Sequence, residues 1–298
     1  KEELSMNILC NYEYHAPKTK AEVLDLLADI GDKAKILAGG TDLVIMLKEK
    51  MIAPEHVINV AEIEELAGIN FTADGVEIGA GTKISDIGAS KELDKEYHAL
   101  CYAADQLGSY QVRTMATIGG NIAHSLPAGE THTPLAALHA EVVIESKKGE
   151  RRVKLEDFIL GNRKNVMESD EMITKVFIPK PAPHSRSEYG HIGLRRAMEI
   201  DCANMTVNIT LEDDKKTIKD VKMVMGSVAP KPLVSEKAPQ ILIGKALDEE
   251  LIQKVGEAAQ SEAKPISDIR ASAEYRRDVI GALARRLTKE AYDLAMEA

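Results

Sequence analysis

Two pairs of adjacent glycines are the residues whose type and spacing could do chemistry in this chain. The first pair, Gly39 and Gly40, stands in "KILAGGTDLVIMLKEK" between a predicted strand and a predicted helix. Glycine lets backbone N–H groups approach a ligand, and a helix capped by Thr41 or Asp42 directs its positive end at an anion. The stretch fits a phosphate cradle, and taken alone it also fits an ordinary strand–turn–helix junction.

The second pair, Gly119 and Gly120, lies in "MATIGGNIAHSLPAGE" between Thr117 and Asn121. The Asn121 side chain can donate to phosphate or hydroxyl oxygens, and Glu130 can accept from hydroxyl groups. Two such turns could hold opposite sides of one extended, phosphate-bearing cofactor. The same polar residues could instead serve only to stabilise their turns.

A third glycine-containing stretch, "GAGTKIS", follows the predicted strand "VEI". It begins like the dinucleotide-binding fingerprint, but the third glycine is missing. No acidic residue follows a convincing second strand about 20 residues later. We therefore expect a tight turn between strands here.

The histidines and cysteines do not predict a metal site or a catalytic residue. His124, His132 and His139 are spaced by eight and seven residues, which does not place two ligands on one helical turn. No Gly-x-Ser-x-Gly elbow or catalytic Cys–His signature is found. Three cysteines lie far apart without a CxxC pair and are expected to be reduced thiols: Cys10, Cys101 and Cys202.

Composition excludes several classes of protein. The 298 residues carry a formal net charge of -10, which disfavours nucleic acid or an anionic membrane as the main partner. No apolar run approaches the roughly 20 residues of a membrane-spanning helix, so membrane insertion is not expected. The first residues, "KEELSMNILC", show no secretory pattern, and a cytoplasmic location is expected.

The glycine pairs must be positioned by the surrounding elements. In the first block, a helix in "TKAEVLDLLADIGDKA" ends at Gly31, and "KILA", "LVIMLKEKM" and "HVINV" form a βαβ pattern. The second block has a helix from about Lys95 to Leu107 and the strand "EVVIES". Prolines 179, 181 and 183 indicate a linker near residues 180–188, because proline does not fit a helix interior or a central strand.

The third block alternates the predicted strands "NMTVNITLE" and "IKDVKMVMGSV" with two helices, which indicates an α+β layer. In the last helix, Val279, Leu283 and Leu287 share one face. This face could pack on its own domain or bind a partner subunit. Three units are predicted, 1–60, 61–183 and 184–298.

With these stretches identified, the chain resembles the FAD-binding medium subunit of the molybdenum hydroxylases, the family of xanthine, carbon monoxide and nicotinate dehydrogenases. The resemblance covers nearly the whole chain. It runs through "YEYHAPKTKAEVLDLL", "ILAGGTDLVIMLK", "GVEIGAGTKISDI", "QVRTMATIGGNIAHSLPAGETHTPLAAL", "DEMITKVFIP" and "IRASAEYRRDVIGALARRL". It implies an α+β fold, with a two-part PCMH-type FAD-binding domain (1–60 and 61–183) followed by an α+β C-terminal domain (184–298).

The resemblance also implies which residues contact FAD. The pyrophosphate would be held by the first glycine loop, namely Ile36, Leu37, Ala38, Gly39, Gly40, Thr41, Asp42 and Leu43. The second phosphate and ribityl loop would consist of Thr117, Ile118, Gly119, Gly120 and Asn121. Leu107 and Ile173 would lie against FAD. Glu130 replaces a usual aspartate, and His191 stands where relatives often have lysine near the flavin.

The resemblance further implies that this chain holds FAD but no metal and no catalytic residue of its own. Electrons would come from the [2Fe-2S] clusters of a small partner subunit, and large partner subunits would carry molybdopterin. FAD would pass the electrons to an external acceptor such as NAD(P). The alternative is a stand-alone FAD oxidoreductase of the vanillyl-alcohol oxidase type, which oxidises its substrate directly.

Overall fold

The computed structural model describes residues 11–195 and 197–298, so Cys10 and the start of the predicted unit 1–60 lie outside the described residues. The chain contains both helices and sheets, and the predicted α+β class is confirmed. The helices are α1 (Lys20–Ile30), α2 (Leu43–Lys48), α3 (Ile84–Ala89), α4 (Lys91–Gln106), α5 (Tyr110–Arg113), α6 (Ile118–His124), α7 (His132–Ala137), α8 (Leu155–Phe158), α9 (Lys237–Leu242), α10 (Glu249–Glu262) and α11 (Ala273–Glu297).

The strands form four sheets. They are β1 (Glu13–His15), β2 (Ala34–Leu37), β3 (His56–Asn59), β4 (Ile69–Phe71), β5 (Gly75–Gly79), β6 (Glu141–Ser146), β7 (Gly149–Lys154), β8 (Ile159–Gly161), β9 (Lys164–Asn165), β10 (Met172–Pro179), β11 (Ser185–Ile192), β12 (Ala203–Leu211), β13 (Ile218–Gly226) and β14 (Leu233–Val234). In the described part of the chain, no helix is both long and apolar enough to cross a membrane.

The first unit is a parallel sheet in the order β1-β3-β2, covered by α1. The predicted βαβ unit is confirmed, because α2 connects the parallel neighbours β2 and β3. The Thr19 side chain caps α1 by accepting from Glu22 N (3.2 Å), and Gly31 ends the helix with a positive φ. The hydrophobic core of the first unit includes Met172 of β10, a residue contributed by the middle unit.

The middle unit is an antiparallel-paired sheet in the order β4-β5-β10-β6-β7. Pro179 is the last residue of β10, the central strand, so the expectation that it belongs to the linker is wrong. Pairing with β6 ends at Phe177, and the missing N–H of Pro179 therefore removes no bond on that side. The linker begins after Pro179 and contains Pro181 and Pro183.

Two further predictions in the middle unit are corrected. The "GAGTKIS" turn connects strand β5 to helix α3 instead of joining two strands. Helix α4 begins at Lys91, four residues before the predicted start, because the Ser90 side chain caps it by accepting from Leu93 N (3.3 Å).

The C-terminal unit is an antiparallel sheet in the order β11-β12-β13-β14, covered by α10 and α11. Leu283 and Leu287 of α11 are buried in its core, so this face packs on its own domain. The unit also reaches into its neighbour, since Val224 of β13 belongs to the hydrophobic core of the middle unit. The predicted boundaries at residues 60 and 183 stay predictions.

Arg276 anchors the beginning of α11. Its guanidinium donates to the Cys202 carbonyl (2.7 Å) and the Ser227 carbonyl (3.1 Å), and it pairs with Asp268 (2.7 Å). Burial alone would raise the pKa of Asp268, but hydrogen bonds from Arg270 N and Arg276 outweigh it and lower this pKa to about 2. One buried cation thereby joins the start of α11 to three loop positions, immediately before β12, immediately after β13 and shortly before α11.

We predict that Arg276→Ala lowers the free energy of unfolding by about 3 kcal/mol, because it removes the guanidinium donor of two carbonyls and the buried cation paired with Asp268. The neighbouring Arg277 is exposed, and Arg277→Ala is expected to change this free energy by no more than about 0.5 kcal/mol. Urea denaturation of both variants at neutral pH measures the difference. Equal losses would contradict the role given to Arg276.

Candidate functional site

The first glycine loop connects β2 to α2 and presents unpaired backbone donors. Gly40 has a φ of 75°, which glycine adopts without strain. Four consecutive N–H groups, from Gly40 to Leu43, find no acceptor among the described residues, whereas the next one, on Val44, donates to the Gly40 carbonyl (3.1 Å). Adjacent free amides at the start of a helix suit an anion such as phosphate.

The preceding residue, Gly39, allows this loop to touch the second one. A Cβ at Gly39 would lie 2.1 Å from the Met115 carbonyl oxygen and 2.8 Å from the Ala116 Cα. The two main chains are therefore in direct contact immediately before Thr117. The remaining residues predicted for this loop lie beside it, with Ile36 and Leu37 on β2 and Ala38 following the strand.

The second glycine loop is built differently, because its backbone donors are already used within the protein. The first four N–H groups of α6 have acceptors: Ile118 to Thr82 O (3.1 Å), Gly119 to Ala80 O (2.9 Å), Gly120 to Thr117 Oγ1 (3.1 Å) and Asn121 to Thr117 O (3.0 Å). A ligand at this loop would therefore meet side chains rather than free amides.

Asn121 is the side chain best prepared for that contact. Its Oδ1 accepts from Thr131 Oγ1 (2.6 Å), and its backbone carbonyl is 3.2 Å from His132 Nε2. Burial lowers the pKa of His132 to about 4, so this imidazole is neutral and can donate from Nε2. The Asn121 Nδ2 group has no acceptor in the described ranges and is available as a donor.

Acidic groups lie beside both loops. Asp42 Oδ1 lies 3.5 Å from His124 Nε2, which links the start of α2 to the end of α6. Burial raises the pKa of Glu130 to about 8, and the negative charges of Asp201 and Asp42 contribute to the rise. At neutral pH Glu130 is therefore mostly a protonated acid that can donate a hydrogen bond.

The C-terminal unit adds a network centred on Asp201, which is 2% exposed. Its carboxylate lies 2.8 Å from His191 Nδ1 and accepts from Tyr189 OH and Asn204 Nδ2, both at 3.0 Å. The hydrogen bond to Asp201 raises the pKa of His191 and favours the imidazolium form. Asn204 Oδ1 in turn accepts from Thr133 Oγ1 (3.2 Å), which ties this network to the middle unit.

The two apolar residues predicted to lie against FAD are buried in the hydrophobic core. Leu107 and Ile173 are 6% and 7% exposed and belong to the hydrophobic core of the middle unit, so their role toward a ligand stays a prediction. A cavity of about 190 Å³ lies elsewhere, between β11, the end of β10 and His139, and no residue of either glycine loop lines it.

Sequence motifs pointed to neither Asp201 nor a second polar group, Glu13, His15 and His56. Asp201 is distant in sequence from Glu130, and only the fold reveals their proximity. The ligand atoms of the second group all lie within 4.8 Å of one another. Its only trace in the sequence is the alternation in "EYH" together with a histidine that opens "HVINV".

Comparisons with known proteins agree with this architecture. A family model described as the FAD binding domain in molybdopterin dehydrogenase matches residues 10–181, and one described as the CO dehydrogenase flavoprotein C-terminal domain matches residues 189–291. The carbon monoxide dehydrogenase medium chain of Hydrogenophaga pseudoflava is 32% identical over 282 residues, covering 94% of this chain and 97% of that protein. The nicotinate dehydrogenase FAD-subunit of Eubacterium barkeri is 31% identical, covering 95% of this chain and 97% of that protein.

A solved structure is similar over the same length. A chain of the carbon monoxide dehydrogenase of Hydrogenophaga pseudoflava that lacks the Mo-pyranopterin moiety of its cofactor superposes with a TM-score of 0.91 at 31% identity. The match covers 96% of this chain and 99% of that one. The likeness therefore extends through both the glycine loops and the C-terminal unit.

The contacts of the glycines predict a graded series of effects on FAD retention. Gly39→Ala should reduce FAD per folded chain at least about tenfold, because the new Cβ collides with main chain that cannot move aside. Gly40→Ala should destabilise the loop conformation that binds FAD by about 1–2 kcal/mol, because alanine adopts the positive φ of this residue only with strain. Gly120→Ala should be the mildest, since outside its chain neighbours and its own helix backbone the new Cβ meets one described atom within 4 Å, Thr117 Oγ1 at 3.0 Å. Flavin absorbance after gel filtration and circular dichroism measure retention and folding, and a reversed order would refute this assignment.

The burial of Glu130 predicts a pH-dependent stability. The pKa of Glu130 is 4.5 in the unfolded chain and about 8 in the fold. As pH rises from 4.5 to about 8, Glu130 loses its proton in the unfolded chain but keeps it in the fold, so the free energy of unfolding falls. Glutamine does not ionise. In FAD-free protein, the free energy of unfolding of Glu130→Gln should therefore rise by about 2–4 kcal/mol relative to that of the native chain between pH 5 and 9.

Urea denaturation of the native chain and the variant across this range measures that gain. The exposed Glu257 provides the control, because Glu257→Gln should leave the pH profile unchanged. A constant difference between Glu130→Gln and the native chain would show that Glu130 ionises normally in the fold.

Proposed function

Since the chain belongs to the family of FAD-binding subunits of molybdopterin-dependent dehydrogenases, we propose that it carries one FAD and passes electrons from a partner's iron–sulfur clusters to an external acceptor such as NAD(P). The observation that carries this proposal is the run of free N–H groups from Gly40 to Leu43 beside the second glycine loop. These donors fit a pyrophosphate, which offers several anionic oxygens to adjacent amides.

The remaining site residues would divide the binding of FAD among them. Asn121 Nδ2 is free to donate to a ribityl or phosphate oxygen, and protonated Glu130 can donate to an acceptor of the cofactor. His191, held by Asp201, would place positive charge near the flavin ring and so favour its reduction. FAD itself supplies the exchange of electrons between one-electron and two-electron carriers.

We further propose that this chain needs partner subunits to act on a substrate. The relatives are described as medium chains and FAD subunits, which supports a small iron–sulfur subunit and a large molybdopterin-binding subunit beside this chain. Cys101 and Cys202 are separate buried thiols, and the described residues hold no cysteine cluster for iron–sulfur ligation. Hydroxylation chemistry is accordingly assigned to the partners.

The alternative of a stand-alone FAD oxidoreductase has weaker support. The relatives match this chain over nearly their whole length and are subunits of larger enzymes. Units 1–60 and 61–183 are proposed to hold FAD between them, and unit 184–298 to contribute His191 and Asp201. A cytoplasmic complex is proposed, in keeping with the expectation from the sequence.

The relay predicts that the isolated chain is reduced by dithionite but not by organic substrates of molybdenum hydroxylases. Anaerobic absorbance spectra of the FAD-loaded chain, before and after each addition, measure this directly. Adding the iron–sulfur and molybdenum subunits should restore bleaching of the flavin by the substrate of the complex. Rapid bleaching by a substrate without the partners, in a sample shown to be free of molybdenum and iron, would support direct oxidation at FAD instead.

A further inference from the structure

A group of three potential metal ligands lies in the first unit, away from the glycine loops. Glu13 and His15 are two residues apart on β1, so their side chains lie on the same face of the sheet. His56, on the adjacent parallel strand β3, is directly paired with Glu13 in the strand register. The fold therefore brings one carboxylate and two imidazoles to a single point.

The separations of their ligand atoms are close to those around one metal ion. His15 Nε2 and His56 Nδ1 are 3.0 Å apart, and the Glu13 carboxylate oxygens lie 3.8 Å from the first and 3.6 Å from the second. Ligands bound at about 2.0–2.2 Å in a tetrahedral arrangement are separated by roughly 3.3–3.6 Å. The group needs only small side-chain adjustments to bind an ion.

We propose that Glu13, His15 and His56 form a binding site for a divalent transition metal, with Zn²⁺ as the ion that fits best. Two imidazoles and one carboxylate are a common zinc ligand set, and a fourth position is left for water. Mg²⁺ and Ca²⁺ prefer sites built from oxygen atoms, so this group should select against them.

The surroundings support access and a partly shielded site. The side chains of His15 and His56 are 18% and 21% exposed, whereas Glu13 is 66% exposed and can close over an ion from the solvent side. His15 also lines an open groove of about 480 Å³ between β1 and α1, through which a hydrated ion can approach.

A metal at this point would join two strands whose paired register is three residues long. Strand β1 has three residues and lies at the edge of its sheet, so its attachment depends on its pairing with β3. An ion bound to side chains from both strands stabilises the paired state by mass action. The site is therefore assigned a structural role in the first unit, separate from the binding of FAD.

The test uses the full chain without a histidine tag, which would bind metal itself. Equilibrium dialysis against Zn²⁺ is expected to give one bound ion per chain, and Mg²⁺ none in competition. Co²⁺ in place of Zn²⁺ should give the visible absorption of a four-coordinate site, and Zn²⁺ should abolish it. Zn²⁺ should also raise the melting temperature of the chain.

Three variants and one control locate the ion. Glu13→Gln, His15→Gln and His56→Gln should each lower the Zn²⁺ affinity at least about tenfold, since even changes outside the ligand set often cost that much. His98→Gln is the matched control, because His98 pairs with a carboxylate, Asp94 (2.8 Å), but lacks a second imidazole. It should leave binding unchanged.

Glu13→Gln keeps the test decisive if a histidine variant fails to fold, because Glu13 is largely exposed. Absence of stoichiometric Zn²⁺ binding by the native chain would overturn the proposal, and so would undiminished binding by Glu13→Gln. FAD content measured in the same samples separates the two sites. It should be equal in the native chain and in Glu13→Gln, whether or not the proposed function holds.

Discussion

The main chain of Gly39 rests against the main chain of Met115 and Ala116, and no side chain could be placed between them. This contact fixes the first unit against the middle unit at the point where the two glycine loops meet. It also separates the tasks of the loops. The first amides of α6 are bonded within the middle unit, to Thr82, Ala80 and Thr117, whereas those from Gly40 to Leu43 have no acceptor among the described residues and are available to a ligand. A binding site built from two units needs such packed contacts, because they hold its parts in a fixed geometry.

Two buried carboxyl groups near this junction, those of Asp201 and Glu130, have different surroundings. Asp201 has three hydrogen-bonding partners and forms a stable pair with His191. Glu130 is almost as deeply buried, yet no side chain of another described residue donates to it, and it keeps its proton at neutral pH. Two carboxyl side chains thus have different roles: Glu130 is a neutral hydrogen-bond donor, and Asp201 is the partner of His191. The surroundings of each side chain cause this difference.

The sequence was sufficient for features encoded locally or in recurrent motifs. The βαβ unit, the helix ending at Gly31 and the family assignment all follow from periodicity, capping and ordered motifs. The different construction of the two glycine loops was not predictable, because it depends on Ala80 and Thr82 accepting from a distant segment. Pro179 shows the same limit, since its place at the end of β10 depends on the pairing with β6, which has already ended at Phe177. Arg276, Asp201 and the Glu13, His15 and His56 group are likewise products of long-range proximity.

The place of Met172 in the first core has a consequence for the order of events during synthesis. About a hundred residues separate it from Leu66, the last member of that core from the first part of the chain. At roughly 5–20 residues per second, the ribosome needs on the order of ten seconds to supply the missing side chain. The core of the middle unit is likewise complete only after Val224 has been synthesised. The nascent N-terminal segment therefore waits with an incomplete apolar surface, which is the kind of surface that general chaperones bind.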